Sequence, residues 1–240
     1  AAAPGMAVAT GVAALDRALP WGGLPCGALH EIQGAAGEAS ALGFAAALAA
    51  RALTHRPGAP VLWCRLRHDT QERGRPYPPG LAGWGLSPQR LMEAACASPA
   101  QALWAMEEAL RARAFAAVVG DGIAPDFTAA RRLQLAAGDG PALILAVTWP
   151  PRSAGLALTR WRVTAMAAED DTRQGLARRC WRVALTHCRG APPTAWHIDW
   201  TEPQPGETHD AALSGAVVAP LADRSLQPRP APAARAHGAR

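Results

Sequence analysis

The sequence contains no lysine, and all 24 of its basic side chains are arginine. This absence excludes any chemistry that needs a lysine amine, such as Schiff-base formation with a carbonyl substrate. Enrichment in alanine, arginine, glycine and proline is typical of a GC-rich genome, which alone explains much of the loss. A phosphate-binding loop would still be expected to keep its lysine, because the wide planar guanidinium does not replace a compact ammonium there. The missing lysine is therefore informative only where the chain builds such a loop.

Long apolar runs and paired cysteines are also missing. No apolar run approaches the ~20 residues that cross a bilayer, and the N-terminus lacks the basic, apolar and cleavable order of a signal peptide. We therefore expect a cytoplasmic protein without a membrane partner. The cysteines form no CxxC pair and show no zinc-type spacing, so we expect them to be buried small hydrophobic residues. They are Cys26, Cys64, Cys96, Cys180 and Cys188.

Composition divides the chain into three parts. Residues 203–240 are rich in proline, alanine and arginine and contain no aromatic residue, so they cannot bury enough apolar area to offset their ordering entropy. We expect a disordered tail at 203–240, a disordered start at 1–9 and a single domain at 10–202. The net charge of +5 is spread along the chain, which is compatible with a nucleic-acid partner but does not establish one.

The order of the elements predicts an α/β fold. Short apolar runs without strict alternation are typical of strands buried on both faces of a parallel sheet, and they occur at 28–33, 60–64, 115–119 and 142–147. Helical patterns at 41–53, 99–113 and 128–137 fall between them. Alternating residues at 160–166, 181–185 and 195–200 indicate antiparallel strands. We expect a twisted, mainly parallel sheet flanked by helices on both faces, with an antiparallel hairpin at its C-terminal edge.

A degenerate phosphate-binding loop follows the first of these strands. The working motif is Gly-x-x-x-x-Gly-Lys-Ser/Thr, in which backbone N–H groups and the lysine bind phosphate and the hydroxyl binds magnesium. Gly34 holds the first position, but Ala39, Ser40 and Ala41 replace the second glycine, the lysine and the hydroxyl. Glu38 adds a negative charge where phosphate would lie. The remnant, Gly34, Gly37, Ala39, Ser40 and Ala41, predicts a site without nucleotide cofactor or catalytic residue.

The flanks of this loop resemble the ATP-binding core of RecA recombinases. The lead-in that carries the resemblance is Thr10-Gly11, Leu15-Asp16, Ala18-Leu19, Gly22-Gly23-Leu24-Pro25, Gly27 and Glu31-Ile32. Val118 to Asp121 is similar to the strand whose final aspartate supports magnesium and water in that family, and Trp181 to Trp200 is similar to its closing hairpin. The resemblance implies a RecA-like fold of the P-loop NTPase type. Asp121 would then be a degenerate remnant, because Ala41 and the missing lysine stand opposite it. The family's catalytic glutamate is also absent, since no glutamate follows the second strand before Glu72.

A RecA-like chain reduced in this way resembles the ImuA family of SOS mutagenesis accessory proteins. The stretches that most suggest it are Leu103 to Leu110, Ala116 to Gly120, Ala130 to Ala137 and Thr159 to Val163. The resemblance implies a non-enzymatic role in translesion synthesis after DNA damage. The implied partners are the polymerase-like ImuB and RecA, with an error-prone DnaE-type polymerase as an indirect partner. A residual nucleotide-binding or ATPase module of DNA repair and a SulA-like cell-division inhibitor stay open as alternatives.

Arginine and aromatic residues occur together in two segments, 65–77 and 160–182. Single-stranded DNA binding pairs aromatic rings with guanidinium groups, and the same residues anchor protein interfaces. A solvated strand face above core tryptophans explains Arg160 to Arg162 without either function. The candidate partner or DNA contacts are Arg65, Arg67, Arg73, Arg75, Arg160, Trp161, Arg162, Arg178, Arg179 and Arg182.

Overall fold

The computed structural model describes residues 6–35, 38–69, 74–149, 155–166, 179–200 and 217–220. The helices are α1 (Ala13–Ala18), α2 (Ser40–His55), α3 (Pro78–Ala82), α4 (Pro99–Ala112) and α5 (Phe127–Ala137). The strands are β1 (Ala7–Val8), β2 (Leu24–Pro25), β3 (Leu29–Gln33), β4 (Val61–Leu66), β5 (Leu91–Cys96), β6 (Ala117–Asp121), β7 (Leu143–Thr148), β8 (Thr159–Met166), β9 (Arg179–Cys188), β10 (Thr194–Trp200) and β11 (Val217–Pro220).

Nine of these strands form one sheet in the order β11-β10-β9-β8-β3-β7-β6-β4-β5, while β1 and β2 form a separate antiparallel pair. In this spatial order, the six strands β8-β3-β7-β6-β4-β5 are parallel to one another. From β8 to β11 each strand is antiparallel to the next. This arrangement confirms the prediction of a mainly parallel sheet that ends in an antiparallel hairpin.

Helices cover both faces of the sheet, as predicted. Along β4 and β6, Trp63 and Val119 belong to the core that contains α2, whereas Cys64 and Val118 belong to the core that contains α4 and α5. Because successive side chains of a strand point to opposite faces, both faces must be apolar. The short apolar runs at these positions therefore have a physical cause.

The packing of α2 depends on its small residues. Gly43 lies under two stacked tryptophans, Trp84 and Trp181, whose ring centroids are 4.9 Å apart. A Cβ built on Gly43 would lie 3.0 Å from an atom of each ring. Phe44, the next residue, packs against Trp161 with ring centroids 5.9 Å apart. The alanine-rich sequence of α2 thus lets the aromatic residues of the antiparallel strands approach the helix closely.

The structure adds elements that the sequence patterns did not predict. Strand β5 forms the edge of the sheet beside β4, and α1 and α3 are short helices in segments without a long helical pattern. Strand β11 lies inside the tail that we expected to be disordered, and it pairs with β10. The rest of 201–240 lies outside the described residues, so the disorder of the tail stays a prediction.

A buried hydrogen-bond chain joins β8, β3 and the residue that ends β2. The His30 ring is fully buried, with Nε2 2.9 Å from the Pro25 carbonyl oxygen and Nδ1 2.8 Å from the Thr159 Oγ1. Since a carbonyl only accepts, Nε2 carries the proton and Nδ1 accepts from the Thr159 hydroxyl. Trp161 in turn donates its Nε1–H to Thr159 at 2.8 Å. Burial lowers the pKa of His30 to about 4, so the ring is neutral in this chain of bonds.

Candidate functional site

The segment predicted to be a degenerate phosphate-binding loop connects β3 to the start of α2. Gly34 donates its N–H to the Thr148 carbonyl at the end of β7, at 3.1 Å. A Cβ built on Gly34 would lie only 2.7 Å from the Cβ of Ala41, which is itself fully buried. The glycine at the first position is therefore required by close packing against the helix start, whether or not a phosphate binds. Gly37 lies outside the described residues.

Ser40 stands where a working loop has its lysine, and its side chain is directed into the protein. The residue is 5 % exposed, and its hydroxyl lies 3.3 Å from both the Glu38 Oε2 and the Val163 carbonyl oxygen. The Glu38 carboxylate also accepts from the Ala165 N–H at 3.5 Å. The negative charge that favours the N-terminus of α2 is thus supplied by the loop itself. Ala39, which precedes the helix, offers no side-chain cap.

Asp121 ends β6 and lies beside Arg65 on the neighbouring strand. Its Oδ2 accepts a hydrogen bond from the Trp63 indole N–H at 3.0 Å, and the residue is 7 % exposed. Among the described residues, no group of three or more histidine, cysteine, aspartate or glutamate side chains could hold a metal ion. The aspartate is thus engaged by a neutral donor of the core.

The cysteines are free thiols, and all except the half-buried Cys180 are buried. Burial raises the pKa of Cys26 to about 11 and that of Cys64 to about 12. Because the thiolate is the nucleophilic form, neither side chain is activated for covalent chemistry. The prediction that the cysteines pack as small hydrophobic residues is confirmed for the four buried ones.

The structure separates the candidate contact residues by exposure. Arg67, Arg75 and Arg162 are exposed, and Arg182 is half-buried. Arg67 donates its Nε–H to the Ala95 carbonyl at 3.2 Å. Arg73 and Arg178 lie outside the described residues, as does the side chain of Arg179 on β9.

Three of the candidates are not surface residues. Trp161 is fully buried and Arg160 is 9 % exposed, with its Nε 2.7 Å from the Glu31 Oε2. Arg65, which is 3 % exposed, is buried at the end of β4. The burial of Trp161, Arg160 and Arg65 leaves these three side chains little surface to offer a partner or DNA. The alternation at 160–162 reflects a solvated strand face above a core tryptophan, because only Arg162 of the three points outwards.

Sequence patterns gave no sign of a pocket of about 310 Å³ beside the loop. It lies where β4, β6 and β7 end and where α2 begins, and residues 74–84 form its outer wall. Arg65 and Asp121 lie at its floor, with aromatic rings on its walls. The arginine-rich segment around Arg65 predicts an exposed side chain. Only the tertiary fold shows that Arg65 is buried.

Comparison with known proteins decides the family. The chain is 33% identical over 216 residues to Protein ImuA from two strains of Caulobacter vibrioides, and the match covers 80% of this chain and 82% of that protein. The chain belongs to the ImuA family. No family model matches it.

Membership of the ImuA family agrees with the resemblance that the sequence stretches suggested. The matched length is large enough to include most of the sheet and its helices. Of the helices in the described ranges of this ImuA relative, none is both long and apolar enough to cross a bilayer.

Proposed function

We propose that this chain is a cytoplasmic, non-catalytic accessory protein of error-prone translesion synthesis in the response to DNA damage. It acts by binding a polymerase-like ImuB-type protein and RecA, and through them serves an error-prone DnaE-type polymerase. The observation that carries the proposal is membership of the ImuA family over four fifths of the chain. The α/β sheet is proposed to be a RecA-like core of the P-loop NTPase type.

The loop geometry supports a role without catalysis. Ser40 cannot neutralise phosphate, and its hydroxyl already has internal partners at 3.3 Å. Glu38 lies 3.5 Å from the Ala165 N–H and brings a negative charge to the helix start. A nucleotide phosphate at this position would be repelled by that charge. The loop therefore serves as a scaffold that joins β3, β7, β8 and α2.

Exposed arginines supply a surface for partners. Arg67, Arg75 and Arg162 present guanidinium groups that can pair with carboxylates of a protein or with phosphates of single-stranded DNA. For Arg162, protein binding is the favoured use, because the neighbouring ring of Trp161 is buried and so unavailable for base stacking.

Co-purification tests the proposal. A tagged full chain should retain an ImuB-type protein and RecA from the same cells after DNA damage, and deletion of the gene should abolish damage-induced mutagenesis. In the deletion strain, chains with Ser40→Ala or Asp121→Asn should restore mutagenesis to the level given by the unaltered chain, because neither group performs chemistry. Failure to retain both partners would overturn the binding role. Loss of mutagenesis in a well-folded Asp121→Asn variant, together with ATP hydrolysis by the unaltered chain, would overturn the non-catalytic role.

A further inference from the structure

The pocket beside the loop contains a buried charge whose hydrogen bonds are incomplete. The Nη2 of Arg65 donates to the Gly74 carbonyl at 2.5 Å. Within the described part of the chain, its Nε and Nη1 have no hydrogen-bond partner. Oε1 of Glu93 is 3.7 Å from Nη1 and therefore contributes charge without a hydrogen bond.

An incompletely bonded guanidinium at this depth is costly. Arg65 is only 3 % exposed, so water does not replace the missing partners as it would at the surface. A buried donor without a partner costs about 1–3 kcal/mol, and more when the group is charged. Arg65 lines the pocket, but both nitrogens have almost no accessible surface, so an anion must displace part of the inner wall to reach them. Once there, it would recover this free energy by accepting from their N–H groups. Arg65 thus selects for a negative group.

The walls select for a flat ring. Four aromatic side chains, Trp63, Tyr77, Trp84 and Trp149, line the same space, together with Leu42 and Leu81. Trp84 is held in place by its stacking on Trp181. Small-molecule sites typically combine such apolar walls with a few polar groups that fix orientation, and 310 Å³ is within their usual range of sizes.

The remaining charges limit the ligand to one anionic group. Arg75 lines the pocket at its exposed side, whereas Asp69 and Asp121 line it as well and would repel further negative charge. Asp121 accepts from Trp63, and His68 Nε2 lies 3.3 Å from Asp69. A triphosphate would bring more negative charge than this balance accommodates.

We propose that this pocket binds a small planar anion, a ring system that carries one phosphate or one carboxylate. Arg65 hydrogen-bonds the anionic group, and the tryptophan and tyrosine rings enclose the flat body. The site lies beside the loop remnant and uses none of the loop's lost phosphate-binding groups. The two anion types share this chemistry, so probes of both kinds are needed to tell them apart.

Isothermal titration calorimetry on the full chain tests the proposal with four probes. AMP combines a ring with phosphate, and indole-3-acetate combines a ring with carboxylate. Adenosine and inorganic phosphate each lack one of the two features. At least one of the two ring anions should bind with a dissociation constant below about 1 mM. Comparison of the two dissociation constants shows whether the pocket prefers a phosphate or a carboxylate. Adenosine and inorganic phosphate should bind at least about tenfold more weakly.

Two variants locate the binding. Arg65→Met should lower the affinity for the ring anion about tenfold or more. Arg67→Met, which removes an exposed arginine nearby, should leave this affinity unchanged. Since Arg65 is buried, its variant is also checked by thermal unfolding. Tyr77, which is 71 % exposed, gives a second variant, Tyr77→Ala, that should weaken binding several-fold while folding is preserved.

Specific results would overturn the proposal. Absence of binding for both ring anions at about 1 mM would do so, as would adenosine or inorganic phosphate binding as tightly as the tighter of the two ring anions. If Arg65→Met does not fold, unchanged binding in Tyr77→Ala is the decisive contrary result.

Discussion

At the scale of single residues, packing explains the loop between β3 and α2. Gly34 leaves room for the Cβ of Ala41, Ser40 bonds to groups of the loop and of β8, and Asp121 accepts from Trp63. Each position thus has an internal structural reason that does not involve a ligand. These contacts hold the loop in place without a bound phosphate.

Gly34→Ala should lower the free energy of unfolding by about 1–3 kcal/mol, because the added methyl group would lie 2.7 Å from the Ala41 Cβ. Ala41→Gly alone should cost about 1 kcal/mol through lower helix propensity. The double variant restores space, so its loss should be smaller than the sum of the two by at least about 0.5 kcal/mol. Urea unfolding of the four proteins measures this coupling, and strict additivity would show that the contact is not the cause.

At the scale of elements, α4 and α5 are joined by a buried carboxylate. Glu107 on α4 is 1 % exposed and accepts from Arg132 of α5 at 2.9 Å and from Arg111 of its own helix at 3.2 Å. A buried charge with only one partner is less well compensated than one with two. The pair therefore fixes how α5 lies against α4 on one face of the sheet.

Arg132→Met should lower the free energy of unfolding by about 1 kcal/mol, because Glu107 then keeps Arg111 alone. Arg131→Met is the matched control, since Arg131 is the exposed neighbour on α5 and should change stability by less than about 0.5 kcal/mol. Both are measured by urea unfolding at low salt. Equal effects of the two substitutions would mean that the bridge between the helices contributes nothing.

Sequence patterns predicted the strands that stand out as continuous apolar runs. Strands β3, β4, β6 and β7 were predictable because burial on both faces requires continuous apolar runs. Strand β5 was not, because an edge strand with exposed Met92 and Glu93 carries no such run. The burial of Arg65 depends on residues 74–84 closing over it, a tertiary contact that no local pattern encodes.

At the scale of the whole molecule, His30 couples stability to pH. The folded protein keeps this ring neutral down to about pH 4, whereas the unfolded chain protonates it near 6.5. As pH falls between these values, the unfolded state binds a proton that the folded state does not. Stability therefore decreases with falling pH across this window.

The contribution of His30 to this decrease should be about 3 kcal/mol between pH 6.5 and pH 4, the free-energy equivalent of its lowered pKa. Urea unfolding across that range should show a clearly smaller slope against pH for His30→Gln than for the unaltered chain. His187→Gln removes an exposed histidine instead and is the control. An unchanged slope in His30→Gln would place the acid sensitivity in other groups.

The pairing of β3 also has a consequence for synthesis on the ribosome. Leu29 is paired with Ile144, and His30 with Thr159, so the central strand must wait for both partners until most of the chain has been made. Contacts between residues so distant in sequence form slowly, since a long loop must close before they stabilise anything. During this delay the apolar surfaces of β3 and α2 lack their final cover. During synthesis, β3 and α2, which later form the centre of the fold, are therefore exposed to aggregation.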